Sequence, residues 1–210
     1  MARVDLTVMG GGIFGLSCAW EATRRGARVR VIETTQIGAG SSGGLVGALA
    51  PHVPENWNDK KQFQLESLLM AESWWSDVTA AGGIDPGYLR SGRLQPIPDD
   101  RALNNARARI AESQTLWQGR ADWRVIPATG AAWEPHSPTG WLIHDTLTAR
   151  LSPRRACAAL AAAIRAQGGE VIEGPAPIEG PVLWATGHAG LVDLSQTFHQ
   201  PVGAGVKGQA

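Results

Sequence analysis

A chain of 210 residues can bury a core of its own and hold one large domain or two small ones. Its 19 basic and 19 acidic residues cancel to a formal net charge of zero, which removes the electrostatic case for nucleic acid or an anionic membrane as the main partner. Cys18 and Cys157 fall in separate helical patterns and read as small buried hydrophobes of a reducing compartment, and the five histidines show no paired ligand spacing, so no metal is expected.

No stretch is long and apolar enough to span a bilayer. Asp5 interrupts the N-terminal apolar run, which therefore reads as a first strand rather than a signal peptide. The expected location is the cytoplasm, with peripheral membrane contact left open.

The run from Val4 leads straight into Gly10-x-Gly12-x-x-Gly15, and a helical pattern follows. Gly10 permits a tight turn out of the strand, Gly12 lets a pyrophosphate approach the backbone, and Gly15 lets the helix pack close to the sheet. Ala19 keeps that helix thin, and Gly26 suits its end after Arg24-Arg25. Glu33 closes the next apolar run, 18 residues beyond Gly15, where its carboxylate can accept from both ribose hydroxyls and repel a 2′-phosphate. Residues 3–33 thus predict a βαβ unit that cradles an adenine dinucleotide, with NADP disfavoured.

Residues 34–54 are rich in glycine and small side chains, a composition that keeps backbone accessible to a flat ligand. Hydroxyls at Ser41 and Ser42 and bare backbone at Gly43-Gly44 suit a phosphate and a planar ring. Residues 60–80 read as a helix ended by Gly82-Gly83. Residues 88–97 read as two short strands around Ser91-Gly92. Pro98 and Asp99-Asp100 start a helix carrying Leu103, Ala106, Ile110 and Trp117. Strands are expected over Trp123–Ile126 and Gly140–His144. Ser152-Pro153 opens an alanine-rich helix that Gly168-Gly169 stops, and strands follow at Glu170–Ile172 and Val182–Ala185. The order predicts an α/β fold: a Rossmann-like, doubly wound sheet interrupted by an α+β subdomain.

At this point the residues resemble the FAD-dependent D-amino-acid oxidase superfamily, within it the glycine oxidase and D-amino-acid dehydrogenase branch. Four segments carry the likeness: Gly10 to Glu33; the loop from Ile37 to Pro51; Leu151-Ser152-Pro153 with its helix and the strand from Gly169 to Glu173; and Leu183-Trp184-Ala185-Thr186-Gly187, followed by Gly205-Val206-Lys207-Gly208-Gln209. The resemblance implies FAD as cofactor and a set of contacts. Ile13 and Phe14 supply backbone near the pyrophosphate, Glu33 and Thr34 hold the adenosine ribose, and Ser41 and Ser42 bond the diphosphate or ribityl chain. Val46, Gly47 and Ala48 lie along the flavin ring, Val171 or Ile172 meets the adenine, and Gly187 lets the chain turn close to the cofactor.

The implied division is an FAD-binding domain in residues 1–80 and 146–200, an inserted substrate-domain portion in 81–145, and the start of a further substrate-domain segment in 201–210. The family's usual multi-strand meander is cut to Glu173–Pro181 here, and the chain is expected to be part of a longer one, inactive alone. The implied reaction is oxidation of the C–N bond of an amino acid or secondary amine by hydride transfer to flavin N5. The substrate is thus a small amine or amino acid. The alternatives are a nicotinamide-dependent dehydrogenase or a non-catalytic nucleotide-binding fragment. No catalytic residue is assigned. Arg90 and Arg93 are local candidates for a substrate carboxylate, and His52 for the active site, against readings as solvated hairpin charges and a polar loop residue. Arg150, Arg154 and Arg155 read as a solvated face, and most of the nine tryptophans as core.

Overall fold

The computed structural model describes residues 3–205, so the motif Val206-Lys207-Gly208-Gln209 lies outside the described residues. The chain divides into two compact units. The first takes residues 1–47, 75–87 and 151–210, and the second takes 48–74 and 88–150. The second unit therefore begins earlier than residue 81, because the N-terminal part of the long helix over 59–82 packs into the core of the second unit.

In the first unit a four-stranded sheet runs in the order β8-β2-β1-β9, from strands β1 (Leu6–Met9), β2 (Val29–Glu33), β8 (Glu170–Glu173) and β9 (Val182–Trp184). All three pairings are parallel. Val8 and Val31, register partners on the two middle strands, are fully buried on one face, while Thr7 and Arg30 stand on the other. Helix α1 (Ile13–Arg24) buries Leu16, Ala19, Trp20 and Thr23, a stripe at helical spacing. Helix α4 (Pro153–Ala166) buries a face of alanines with Cys157, Leu160 and Ile164. Small side chains let it approach closely: a Cβ on Gly82 would lie 2.6 Å from the Ala163 nitrogen.

The shortened connection before β9 is fastened to the sheet. The Thr7 hydroxyl, fully buried on β1, donates to the Glu179 carbonyl at 2.6 Å and accepts from the Glu179 N–H at 3.2 Å. Arg30 on β2 donates to Glu170 at 2.5 Å, to Glu179 at 2.8 Å and to the Pro177 carbonyl at 3.1 Å. Three prolines limit the freedom of this loop, and these bonds fix it across β1 and β2. Helix α5 (Gly187–Thr197) follows β9.

The second unit holds an antiparallel sheet in the order β4-β6-β5, from β4 (Arg93–Pro96), β5 (Trp123–Pro127) and β6 (Trp141–Asp145). Its helices are α3 (Asp100–Leu116) and residues 59–74 of α2 (Asp59–Gly82). Asp99 caps α3, its carboxylate accepting from the Ala102 N–H at 2.7 Å. Trp117 and Trp123 meet edge to face at 6.2 Å and form a core with Leu65, Leu68 and Leu147. Two three-residue strands, β3 (Gly47–Leu49) and β7 (Ala149–Leu151), complete the set.

Two expectations are corrected. Residues 88–97 do not form a hairpin: Leu89 bridges to Arg150, and β4 pairs instead with β6. Gly92, at φ +73, turns tightly against the Asp145 carbonyl and so delivers β4 to that distant partner. Cys18 is exposed, because α1 turns its buried stripe away from it, whereas Cys157 is buried. Trp133 is 76% exposed in a loop, in keeping with a core reading for most rather than all of the nine tryptophans.

Candidate dinucleotide site

The strand order places the change of direction between β1 and β9, with β2 and β8 on the other side of β1. In open parallel sheets the crevice beyond the carboxyl ends at such a point receives ligands. Gly10 sits there at φ +114, its N–H on the Ile32 carbonyl at 2.8 Å. A Cβ on Gly10 would lie 2.3 Å from the Ala185 carbonyl oxygen, so the end of β9 closes directly on the glycine turn. A Cβ on Gly15 would lie 2.1 Å from the Gly10 carbonyl oxygen, which is the close strand–helix packing the sequence predicts. Gly12 begins α1, and the nearest atom to a Cβ there is the Ser42 hydroxyl at 3.2 Å, leaving its other side open.

The first turn of α1 has N–H groups without intrahelical acceptors, since the first helical bond runs from Leu16 to Gly12. The Ile13 N–H is taken by the Ser42 hydroxyl at 2.9 Å. The Phe14 and Gly15 N–H groups follow at the same helix end, where the dipole is positive. Phe14 is 82% exposed. Ser41 and Ser42 lie in a short 3-10 turn, Ser41–Gly43.

Glu33, at the carboxyl end of β2, accepts from the Gly11 N–H at 2.8 Å, and from the Thr35 N–H and hydroxyl, both at 2.9 Å. Burial pushes its carboxyl up, but these donors, with Thr34, outweigh burial and hold it below the ordinary glutamate value. The carboxylate is thus fixed in its charged form beside the glycine turn. Glu173, its neighbour in register on β8, accepts from the Ile37 N–H at 2.8 Å and anchors the start of the glycine-rich loop. Val171 pairs with Val31 in the same ladder. Gly187, at φ +64, starts α5 with open space where a Cβ would stand.

The loop is shaped from below by α4. Arg154 donates to the Gly43 carbonyl at 2.7 Å, and Gly38, at φ +73, leaves room for Cys157, whose Sγ would be 3.4 Å from an added Cβ. Leu45 and Val46 are more than two-thirds exposed, at 77% and 72%. Gly11, Thr35, Gly38, Arg154 and Cys157 were not singled out by spacing. Only Gly11 had a signal, as the middle member of three consecutive glycines.

The other candidates have structural partners. Arg90 donates to the Thr146 and Arg120 carbonyls, both at 2.8 Å. Arg93 pairs at 3.2 Å with Asp145, which is fully buried and also accepts from the Leu147 and Thr148 N–H groups. His52 is held through its N–H and ring by the Gln64 side-chain oxygen. Arg155 pairs with Asp85 at 2.9 Å. Among the described residues no group of three or more His, Cys, Asp or Glu is placed to hold a metal, and no helix is long and apolar enough to cross a membrane.

A glycine oxidase of Geobacillus kaustophilus is 22% identical over 207 residues, covering 93% of this chain and 47% of the relative. A bifunctional protein ThiO/ThiG of Nostoc is 29% identical over 112 residues, covering 53% of this chain and 17% of the relative. The chain spans less than half the length of the curated relatives it matches. Among solved structures, the glycine oxidase of Geobacillus kaustophilus superposes with a TM-score of 0.69 at 19% identity, covering 90% of this chain and 56% of that one. The L-amino acid deaminase of Proteus myxofaciens gives 0.75 at 16% identity, covering 94% of this chain and 48% of that one. These two likenesses establish the fold. A family model described as FAD dependent oxidoreductase matches residues 5–192, and the chain belongs to that family, the D-amino-acid oxidase superfamily.

Proposed function

We propose that this chain holds FAD and forms part of an oxidoreductase acting on the C–N bond of an amino acid or secondary amine. The observation that carries the reading is the Gly10–Gly15 turn at the carboxyl end of β1. It is closed by Ala185, and Glu33 is pinned in its charged form beside it. The residues present fit the cofactor: bare glycine backbone, helix N–H donors without intrahelical acceptors and a fixed carboxylate are the groups that a diphosphate and a ribose call for.

Glu33, with Thr34, takes the ribose hydroxyls. The N–H groups of Phe14 and Gly15, and the hydroxyls of Ser41 and Ser42, take the diphosphate. The Val171 backbone meets the adenine, Val46, Gly47 and Ala48 flank the flavin ring, and Gly187 allows the close turn. FAD, when bound, supplies the two-electron oxidant, with N5 as hydride acceptor. The chain's own residues bind, orient and shield; no acid or base in the site is required to break the C–H bond. The names of the matched relatives, glycine oxidase and L-amino acid deaminase, favour a small amino acid or amine as substrate.

The test is anaerobic mixing of the FAD-loaded oxidoreductase of which this chain forms part with a panel of amino acids and secondary amines. Bleaching of the flavin absorbance by a member of the panel is the expected result. Bleaching by none of them, with NADH reducing the flavin instead, would overturn the substrate class.

A further inference from the structure

We infer that His52 takes a proton from the substrate amine at Nε2, and that Gln64 is the positioning residue that keeps this nitrogen free; this rests on the amine oxidation proposed above. Gln64, in the second turn of α2, sets its side-chain oxygen against two nitrogens of one residue. The His52 backbone N–H donates to that oxygen at 2.7 Å, and ring Nδ1 faces the same atom. A backbone N–H only donates, so the atom it meets is the amide oxygen and not the amide nitrogen. An amide oxygen has no proton to give, so Nδ1 carries one. The neutral ring then keeps its lone pair on Nε2. Among the described residues Nε2 has no hydrogen-bond partner, and it is not one of the sealed, unpartnered atoms, so it is open to a ligand.

The segment that carries His52 is braced from two helices. Lys61 of α2 donates to the Val53 carbonyl at 3.3 Å and to the Glu55 carbonyl. Trp57 Nε1 donates to the Gln62 side chain at 3.0 Å, and Arg109 of α3 holds the Glu55 carboxylate at 2.8 Å. Lys61, Glu55 and Arg109 are thereby all engaged. His52 stands four residues beyond Ala48, which the reading above sets along the flavin ring. Four residues reach about 14 Å at most, so the chain cannot carry the imidazole far from a substrate lying over that ring. Amino acids and secondary amines hold a protonated nitrogen at neutral pH. That nitrogen helps a hydride leave only with a free electron pair, so one N–H bond breaks first. Its proton passes to the Nε2 lone pair, and the bonding electrons stay on the substrate nitrogen. His52 becomes an imidazolium with Nδ1–H still on Gln64, and later gives the proton to water. The other tautomer would turn a donor towards a cation and block the step.

The test combines two readouts on the oxidoreductase of which this chain forms part. Nitrogen NMR with labelled histidines, before FAD is added, reports the tautomer of His52, its signal being assigned by its loss in His52→Ala. Anaerobic bleaching of the FAD-loaded protein by an amino acid or secondary amine reports the reaction. The neutral His52 ring of the wild type is expected in the Nδ1–H form. Gln64→Met, which fills the same space but does not accept from the two N–H groups, should release the ring to the Nε2–H form and slow bleaching about three- to tenfold, the worth of one hydrogen bond. Gln64→Glu, which accepts from both N–H groups, should keep the Nδ1–H form. His52→Ala should slow bleaching about a hundredfold at neutral pH and recover towards about pH 10, where an amine sheds its proton unaided. Adding Gln64→Met to His52→Ala should cost nothing more. An Nε2–H ring in the wild type, a His52→Ala protein that bleaches at the wild-type rate, or a loss that high pH does not repair would overturn the inference and leave the functional reading standing. A wild type that binds FAD but is bleached by no amine overturns that reading, and the role of His52 with it.

Discussion

Gly11 and Glu33 are locked together: the Gly11 N–H donates to a Glu33 carboxylate oxygen at 2.8 Å, and a Cβ on Gly11 would lie 2.9 Å from the Glu33 Cβ. The same Cβ would stand 2.5 Å from the end of the Ile37 side chain. Ile37 can swing aside, but the Glu33 stem is fixed by its strand. Gly11→Ala is therefore expected to destabilise the protein by about 1–3 kcal/mol and to displace the Glu33 carboxylate proposed to hold the ribose. Thermal unfolding and FAD titration of the same variant check both effects.

Gly15→Ala should be far worse than Gly11→Ala. The added methyl meets a backbone carbonyl, that of Gly10, at 2.1 Å, and neither the strand nor the helix can yield without losing the other. The expected outcome is loss of the folded first unit, seen as loss of cooperative unfolding. Gly26→Ala is the control: it has open space around it and φ +86, so only local backbone strain of about 1 kcal/mol is expected.

The pH dependence follows from Glu33. Its folded carboxyl lies below the ordinary value of 4.5, because the Gly11 and Thr35 donors outweigh burial. A depressed folded value means that its contribution is complete above 4.5 and disappears as the pH falls through the lower folded value. Stability of the wild type should therefore drop below pH 4.5 more steeply than that of Glu33→Gln, whose side chain does not titrate. Urea unfolding across this range measures the difference.

In the second unit, Asp145 is fully buried and holds the Leu147 and Thr148 N–H groups together with Arg93. Asp145→Ala leaves two backbone donors without acceptors. A loss of about 2–3 kcal/mol is expected, the Arg93 share being small because its guanidinium is partly solvated. Arg93→Ala should cost less than Asp145→Ala in the same urea titration.

The glycine turn was legible in the sequence because its requirements are local: Gly10, Gly12, Gly15 and Glu33 follow from one strand, one helix and the next strand. The capped start of α3 was legible for the same reason, Asp99 preceding its helix directly. What escaped was set by distant partners. Residues 93–96 look like half of a hairpin until β6, some fifty residues on, takes them in its ladder. Arg90 looks like a solvated charge, yet its donors reach carbonyls 30 and 56 residues away. Helix α5 gave no clear period, since Gly187 and Gly190 interrupt its first turn. Ser42 reads from the sequence as a hydroxyl for a ligand, but its bond to Ile13 spans 29 residues and belongs to the folded chain alone.

The central claim is that the first unit holds FAD, and titration of the purified chain with FAD tests it most directly. The account predicts saturable quenching of flavin fluorescence, weakened by Glu33→Ala and not displaced by excess NAD. Absence of saturable FAD binding, or displacement by NAD at comparable concentration, would contradict it.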